Sequence, residues 1–245
     1  MNMSWFPTIS FVDTLDYRVM SFLMRVRMPD SPGALGKVAE ALGSVDADIR
    51  GVDIVGLDEA DTVGGLPTVI DDIVVDLPAG HLPDALITAA QELDGVYVDS
   101  IRPFSGTIDR RGQVQMLAHV AHVRHNRQSA LDALMASLPK SMSAGWTIVL
   151  DTQPTTHRVS ASSAAPEDNG QELADAPVTE ARVLDGETEE WIPDSWKVMD
   201  SALAATPIEG TSLLLMIGRP GGPDFLLSEV EHLRQLGAIV GAFFS

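Results

Sequence analysis

Arg25-Val-Arg-Met-Pro-Asp-Ser-Pro-Gly-Ala-Leu-Gly-Lys-Val-Ala-Glu-Ala-Leu-Gly43 decides how the first half of this chain reads. A strand ends at Met28, a tight turn runs through Asp30-Ser31-Pro32-Gly33, and a helix follows at once. Proline suits a first helical position, where no N–H is needed, and Ser31 stands where a serine could cap the helix. Helix-period positions Leu35, Val38, Ala39 and Leu42 lead to Gly43, read as the C-terminal cap. A strand-to-helix turn aims N–H groups and a positive dipole end outward, which suits a carboxylate.

Outward from this turn the pattern continues. Met20 to Met28 alternates as a strand, and Asp48 to Val55 reads as a second through its β-branched content. Gly56 to Pro67, with Gly64 and Gly65, reads as a loop or hairpin end. Thr68 to Leu77 is a third strand, Leu82 to Leu93 a second amphipathic helix, and Gly95 to Pro103 a closing strand. The order βαββαβ is ferredoxin-like on topology alone, so this half is an α+β unit over 19–105, preceded by a tail over 1–18.

Asp30, Pro32, Gly33 and Leu35 form D-x-P-G-x-L at the opening of the first helix, and the stretch resembles the signature of ACT domains. Members of that family bind amino acids and regulate partner proteins. The resemblance implies a ligand at a dimer interface, between the first turn of one subunit and the second strand of the other. Carried over, the positions are Asp30, Ser31, Pro32, Gly33, Ala34 and Leu35, whose turn N–H groups hold a carboxylate, with Asp48, Ile49 and Arg50 opposite. Serine-responsive relatives often carry Asn near Asp48. Its absence here counts against serine, while an acid accepts well from a ligand ammonium.

The second half, 106–245, reads as a different unit. Gln113 to Val123 and Arg127 to Leu138 are helices, with Asn126 as N-cap of the latter and Pro139 at its end. Trp146 to Leu150 is a short strand. The stretch 152–194 is acidic, poor in periodicity and read as a flexible insertion, with only Arg182-Val-Leu184 hinting at a strand. Ser212 to Ile217 forms an apolar strand before the turn Gly218-Arg-Pro-Gly-Gly-Pro223, and Phe225 to Ala238 is a helix. Ala144-Gly-Trp146 near the start, with Ala205 to Ile208, Leu213 to Arg219 and Phe225 to Leu236 at the close, resembles the two ends of a GAF domain. The resemblance implies an α/β domain, with the acidic stretch replacing the middle where that family builds its pocket.

The formal charge is −19, from 35 acidic and 16 basic side chains, which argues against nucleic acid and against an anionic membrane surface. The chain has no cysteine, so thiolate catalysis and thiolate metal sites are excluded. No apolar run reaches the length of a membrane span and the N-terminus lacks a signal's basic and apolar regions, so a cytoplasmic location is expected. His119, His122 and His125 are spaced three apart, but Arg124 and Arg127 repel a cation, so no metal is expected. The turn at 218–223 lacks the Lys and Ser/Thr of a phosphate loop. These readings give a non-catalytic amino-acid sensor, expected as a homodimer without cofactor. The alternative is an interaction scaffold that recruits a protein partner and binds no small molecule.

Overall fold

The computed structural model describes residues 20–104, 110–167, 169–170 and 173–244, so the expected tail over 1–18 lies outside the described residues. The chain is mixed α+β, with two antiparallel sheets and five helices among the described residues.

The first sheet comprises β1 (Met20–Pro29), β2 (Asp48–Val63), β3 (Leu66–Leu77) and β4 (Tyr97–Pro103), in the order β2-β3-β1-β4. Helices α1 (Ala34–Gly43) and α2 (Asp84–Gln91) link β1 to β2 and β3 to β4. Each helix joins two parallel strands with a third between them, the split βαβ of the ferredoxin-like arrangement. Alternation explains the core: Phe22, Met24, Val26 and Met28 meet Ile73, Val75 and Leu77 beneath Val38, Leu42, Leu86 and Ala90.

Three local readings are corrected. Helix α1 begins at Ala34, not Pro32, and its N-cap is Gly33 at φ 87°; Ser31 supplies no side-chain cap. The Ser31 carbonyl accepts from Ala34 N at 3.1 Å, which closes a separate turn ahead of the helix. Gly43 is the last helical residue, and Ser44 is the C-cap. Of the two readings of 56–67, a loop or a hairpin end, the structure has the hairpin end, with strands longer than expected: β2 runs through to Val63, and only Gly64-Gly65 turns, at φ 61° and 82°. Two consecutive positive φ values make the tight hairpin link for which a Gly-Gly pair is suited.

The second sheet has the order β6-β5-β9-β8-β7, from β5 (Trp146–Asp151), β6 (His157–Ala161), β7 (Arg182–Leu184), β8 (Ala202–Pro207) and β9 (Leu213–Arg219). Helices α3 (Arg110–Val123), α4 (Arg127–Ser141) and α5 (Leu227–Phe244) cover one face, around Val120, Leu134, Val149, Leu215, Ile217 and Leu233. Asn126 caps α4 as expected, its side chain accepting from Ser129 N at 3.1 Å. Pro139 lies inside α4 rather than at its end, in the last turn.

The stretch 152–194 differs most from its reading as a flexible insertion. It supplies β6 and β7, then packs Val178, Leu184, Trp191 and Ile192, with the following Trp196, against Trp146, Ile148, Leu203 and Met216 on the sheet's other face. Arg182 pairs with Glu189, and Glu189 also accepts from Trp191 Nε1 at 2.6 Å. The Arg182 hydrogen bond holds the Glu189 carboxyl below its ordinary pKa range. A few large apolar side chains, widely spaced, tie this strap down, which is why no period announces it.

Candidate functional site

The turn after β1 sits at one end of the first sheet. Asp30 N donates to Pro67 O at 2.8 Å and Ser31 N to Pro29 O at 2.8 Å, so the backbone is fixed before the helix begins. Asp30, Pro32, Gly33 and Leu35 are exposed, while Ser31 and Ala34 are half-buried. A Cβ on Gly33 would meet nothing within 4 Å among the described residues, which leave the space over the turn open. Helix α1 has neither a side-chain cap nor an acidic residue in its first turn. The Ala34 N–H is already taken by the Ser31 carbonyl, which removes it from the donors of the turn.

Behind the turn stands a residue that sequence reasoning passed over. Asp71 on β3 pairs in register with Val26 and Ile54, on the helix-covered face, and is only 2% exposed. Its Oδ1 is buried without a hydrogen-bond partner among the described residues. Burial, then the charges of Asp72, Asp53 and Asp30, raise its pKa from 3.8 to about 6. The folded chain therefore holds this proton more tightly than the unfolded one, and stability falls as pH rises from about 4 to about 6. Asp71→Asn should gain about 1 to 2 kcal/mol at pH 7, a figure discounted for screening, and nothing at pH 4. Urea midpoints at the two pH values check this; an Asn variant weaker than the parent at pH 7 would show that the carboxylate is satisfied.

The other expected residues stand elsewhere. Pro29, beside the turn, pairs with Thr68, whereas Asp48 pairs with Asp76 at the far end of β3. Eight residues of strand separate those positions, about 27 Å at ~3.4 Å per residue. One chain therefore does not bring Asp30 to Leu35 together with Asp48, Ile49 and Arg50. Arg50 lies 3.5 Å from Asp48 and 3.6 Å from Asp76, both within the same unit, and Ile49 packs at the margin of the first core.

The face of the first sheet turned away from α1 and α2 carries charge into the contact between the two halves. Arg25 grips Asp72 with two bonds, at 2.7 and 2.8 Å, and reaches Glu229 of α5 at 3.1 and 3.2 Å. Arg219 of β9, fully buried, donates to the same Glu229 at 2.6 Å and lies 4.1 Å from the Phe225 ring centroid. Arg102 of β4 donates to the Ser143 carbonyl at 2.5 Å, and Arg219 to the same oxygen at 3.0 Å. Burial alone would push the Glu229 carboxyl up, but Arg219 and Arg25 overcome it and hold it below its ordinary range. Burial and the neighbouring Arg219 bring Arg102 down to about 10.

Beside this lattice a cavity of about 640 Å³ opens between the halves, with Asp53, Gln113, Lys140, Ser228 and His232 among its walls. The Nε2 of His232 is buried there without a partner among the described residues, and burial lowers the ring's pKa while Asp53 opposes the shift. The sequence signal was present but silent: Arg25 and Asp72 interrupt apolar strands at paired positions, and each alone reads as a solvated charge.

No family model matches the chain, and no curated protein matches it. Among solved structures, one similar chain is the GAF domain of A. aeolicus nlh2 in an inactive state: 11% identity, TM-score 0.40, covering 55% of this chain and 96% of that one. Another is an unknown protein from Galdieria sulphuraria, with 13% identity, TM-score 0.28, and coverage of 92% and 94%. Likenesses so distant leave function to be argued from this chain's own residues.

Proposed function

We propose that the protein is a non-catalytic regulatory sensor that binds an amino acid at the Asp30 to Leu35 turn, with an ACT-like first half and a GAF-like second half. The carrying observation is the turn itself: an exposed, uncapped helix start with open space over Gly33. The N–H groups of Gly33 and Leu35 meet the ligand carboxylate, and Asp30, backed by the field of Asp71, faces its ammonium. Because Asp48 to Arg50 stand about 27 Å away along β3, their participation requires a second copy of the chain. The edge strand β2 suits that arrangement, with Val52 37%, Ile54 70% and Leu57 54% exposed.

A thermal-shift screen against the twenty amino acids at millimolar concentration tests the reading. A ligand at a hundred times its Kd adds about 2.7 kcal/mol, a shift of several degrees. Gly33→Val should abolish that shift. Gly33 sits at φ 87°, so a β-branched residue strains the turn by about 1 to 2 kcal/mol while the core beneath stays intact. An undiminished ligand shift in the valine variant rules out this turn as the site. The second reading, a scaffold that binds no small molecule, is favoured by the exposed apolar edge of β2; it wins if no amino acid shifts the midpoint while light scattering reports a dimer.

A further inference from the structure

A second cleft of about 640 Å³ lies at the other end of the second half, where the α3–α4 turn, the β8–β9 turn and the end of α5 meet. His122, Arg124, His125 and Arg127 line it, together with Phe243, Phe244 and the small residues of the 210–212 turn. Among the described residues no acidic side chain lines it, although the chain has 35 Asp and Glu against 16 Lys and Arg. In so acidic a chain, two arginines around one opening, with two histidines between and beside them, make a local concentration of positive charge and N–H donors. The nearby Glu209 sits 4.0 Å from Arg234.

We propose that this cleft binds the phosphate group of a small phosphorylated molecule. Arg127 is the first residue of α4, so its guanidinium adds to a positive helix end, and it is steadied 5.8 Å from the Phe244 ring centroid. Arg124 is anchored by one nitrogen to the Ala121 carbonyl at 2.9 Å, which leaves further donors of its planar fork for phosphate oxygens. The imidazoles of His122 and His125 add N–H donors, and Phe243 and Phe244 give an apolar wall for whatever the phosphate is attached to. The cleft volume fits a small molecule. The chain's net charge of −19 disfavours a nucleic-acid backbone, which needs a continuous basic track. The site is independent of the amino-acid reading, because it lies in the other half of the chain.

The test titrates the full chain with pyrophosphate at constant ionic strength, by calorimetry and thermal shift, beside Arg124→Gln/Arg127→Gln and a control in the first half, Arg27→Gln, whose partner is Asp99. The expected result is a Kd of about 0.1 to 1 mM for the parent and the control. The double variant should bind at least about tenfold more weakly, with its urea midpoint unchanged. Should the double variant misfold, His125→Gln carries the same comparison. Three results overturn the proposal: no binding by the parent, equal binding by the variant, or equal binding of citrate, which would make the cleft a general anion trap.

Discussion

Glu229→Ala should cost the folded chain about 3 to 5 kcal/mol, because it removes one partner from a buried charge lattice and leaves the others in place. Glu229 accepts from Arg25 at 3.1 and 3.2 Å, from Arg219 at 2.6 Å, and from the Leu226 N–H at 2.9 Å at the start of α5. Without it, Arg25, 3% exposed, keeps Asp72, while Arg219, 0% exposed, is left with the backbone carbonyls of Met142, Ser143 and Pro223. Glu229→Gln keeps the shape and some of the acceptors, so it should fall between the parent and the alanine variant. On the same helix, Glu231 and Arg234 are also bonded at 2.7 Å, but their side chains are 51% and 47% exposed, and Glu231→Ala should hardly move the midpoint.

The pH dependence has a definite sign. The Glu229 pKa is depressed in the folded chain, so the unfolded chain binds the proton first as pH falls. The lattice is fully stabilising above the ordinary carboxylate range and is lost as pH drops through the depressed value. The difference between parent and Glu229→Ala should therefore shrink in acid, in contrast to Asp71→Asn, whose gain grows toward neutrality. Arg25 and Asp72 belong to the first half and Arg219 and Glu229 to the second, so the alanine variant should also split one urea transition into two. A single transition, displaced by less than about 1 kcal/mol, would show that the lattice is incidental.

The contrast between lattice and turn explains what the sequence could show. The turn is local: Asp, Ser, Pro and Gly within four positions set backbone geometry by themselves, so Asp30 to Gly33 are readable without the rest of the chain. The first unit's order is readable for a related reason, since Phe22, Met24, Val26 and Met28 alternate toward one core. The lattice is not local. Arg25 meets a carboxylate 204 residues away, and a lone arginine between Met24 and Val26 carries no mark of the face it will be buried on. The β2 extension was hidden because Gly56 reads as punctuation, whereas its bare Cα lets Leu226 approach: an added Cβ would lie 3.2 Å from that side chain's Cδ1. The strap over 152–194 was hidden because Val178, Leu184 and Trp191 follow no period and gain their meaning only against the second sheet.

Gly218→Ala should cost about 3 kcal/mol or more, although it adds a single methyl group. Gly218 pairs across the sheet with Trp146, and an added Cβ would lie 2.7 Å from the ring's Cη2 and closer still to Cε2 and Cζ2. The ring has little room to yield: it is 3% exposed, packs in the second sheet's outer core, and meets Trp196 edge-on at 6.3 Å between centroids. Nor can the strand withdraw easily, because the Gly218 carbonyl accepts from Gly145 N at 2.8 Å, just before β5. The expected loss is a fall of about 6 to 12 °C in Tm, with a change in tryptophan emission. Gly36→Ala is the matched control: in α1 its Cβ meets nothing within 4 Å, so the same chemical change should stabilise slightly. Trp146→Phe in the Gly218→Ala background should recover part of the loss, since the smaller ring vacates the overlap, and that non-additivity marks direct contact. A Gly218→Ala variant within about 1 kcal/mol of the parent would mean that the ring relaxes. The glycine opening the 218–223 turn would then need another reason for being there, and the steric one would be wrong.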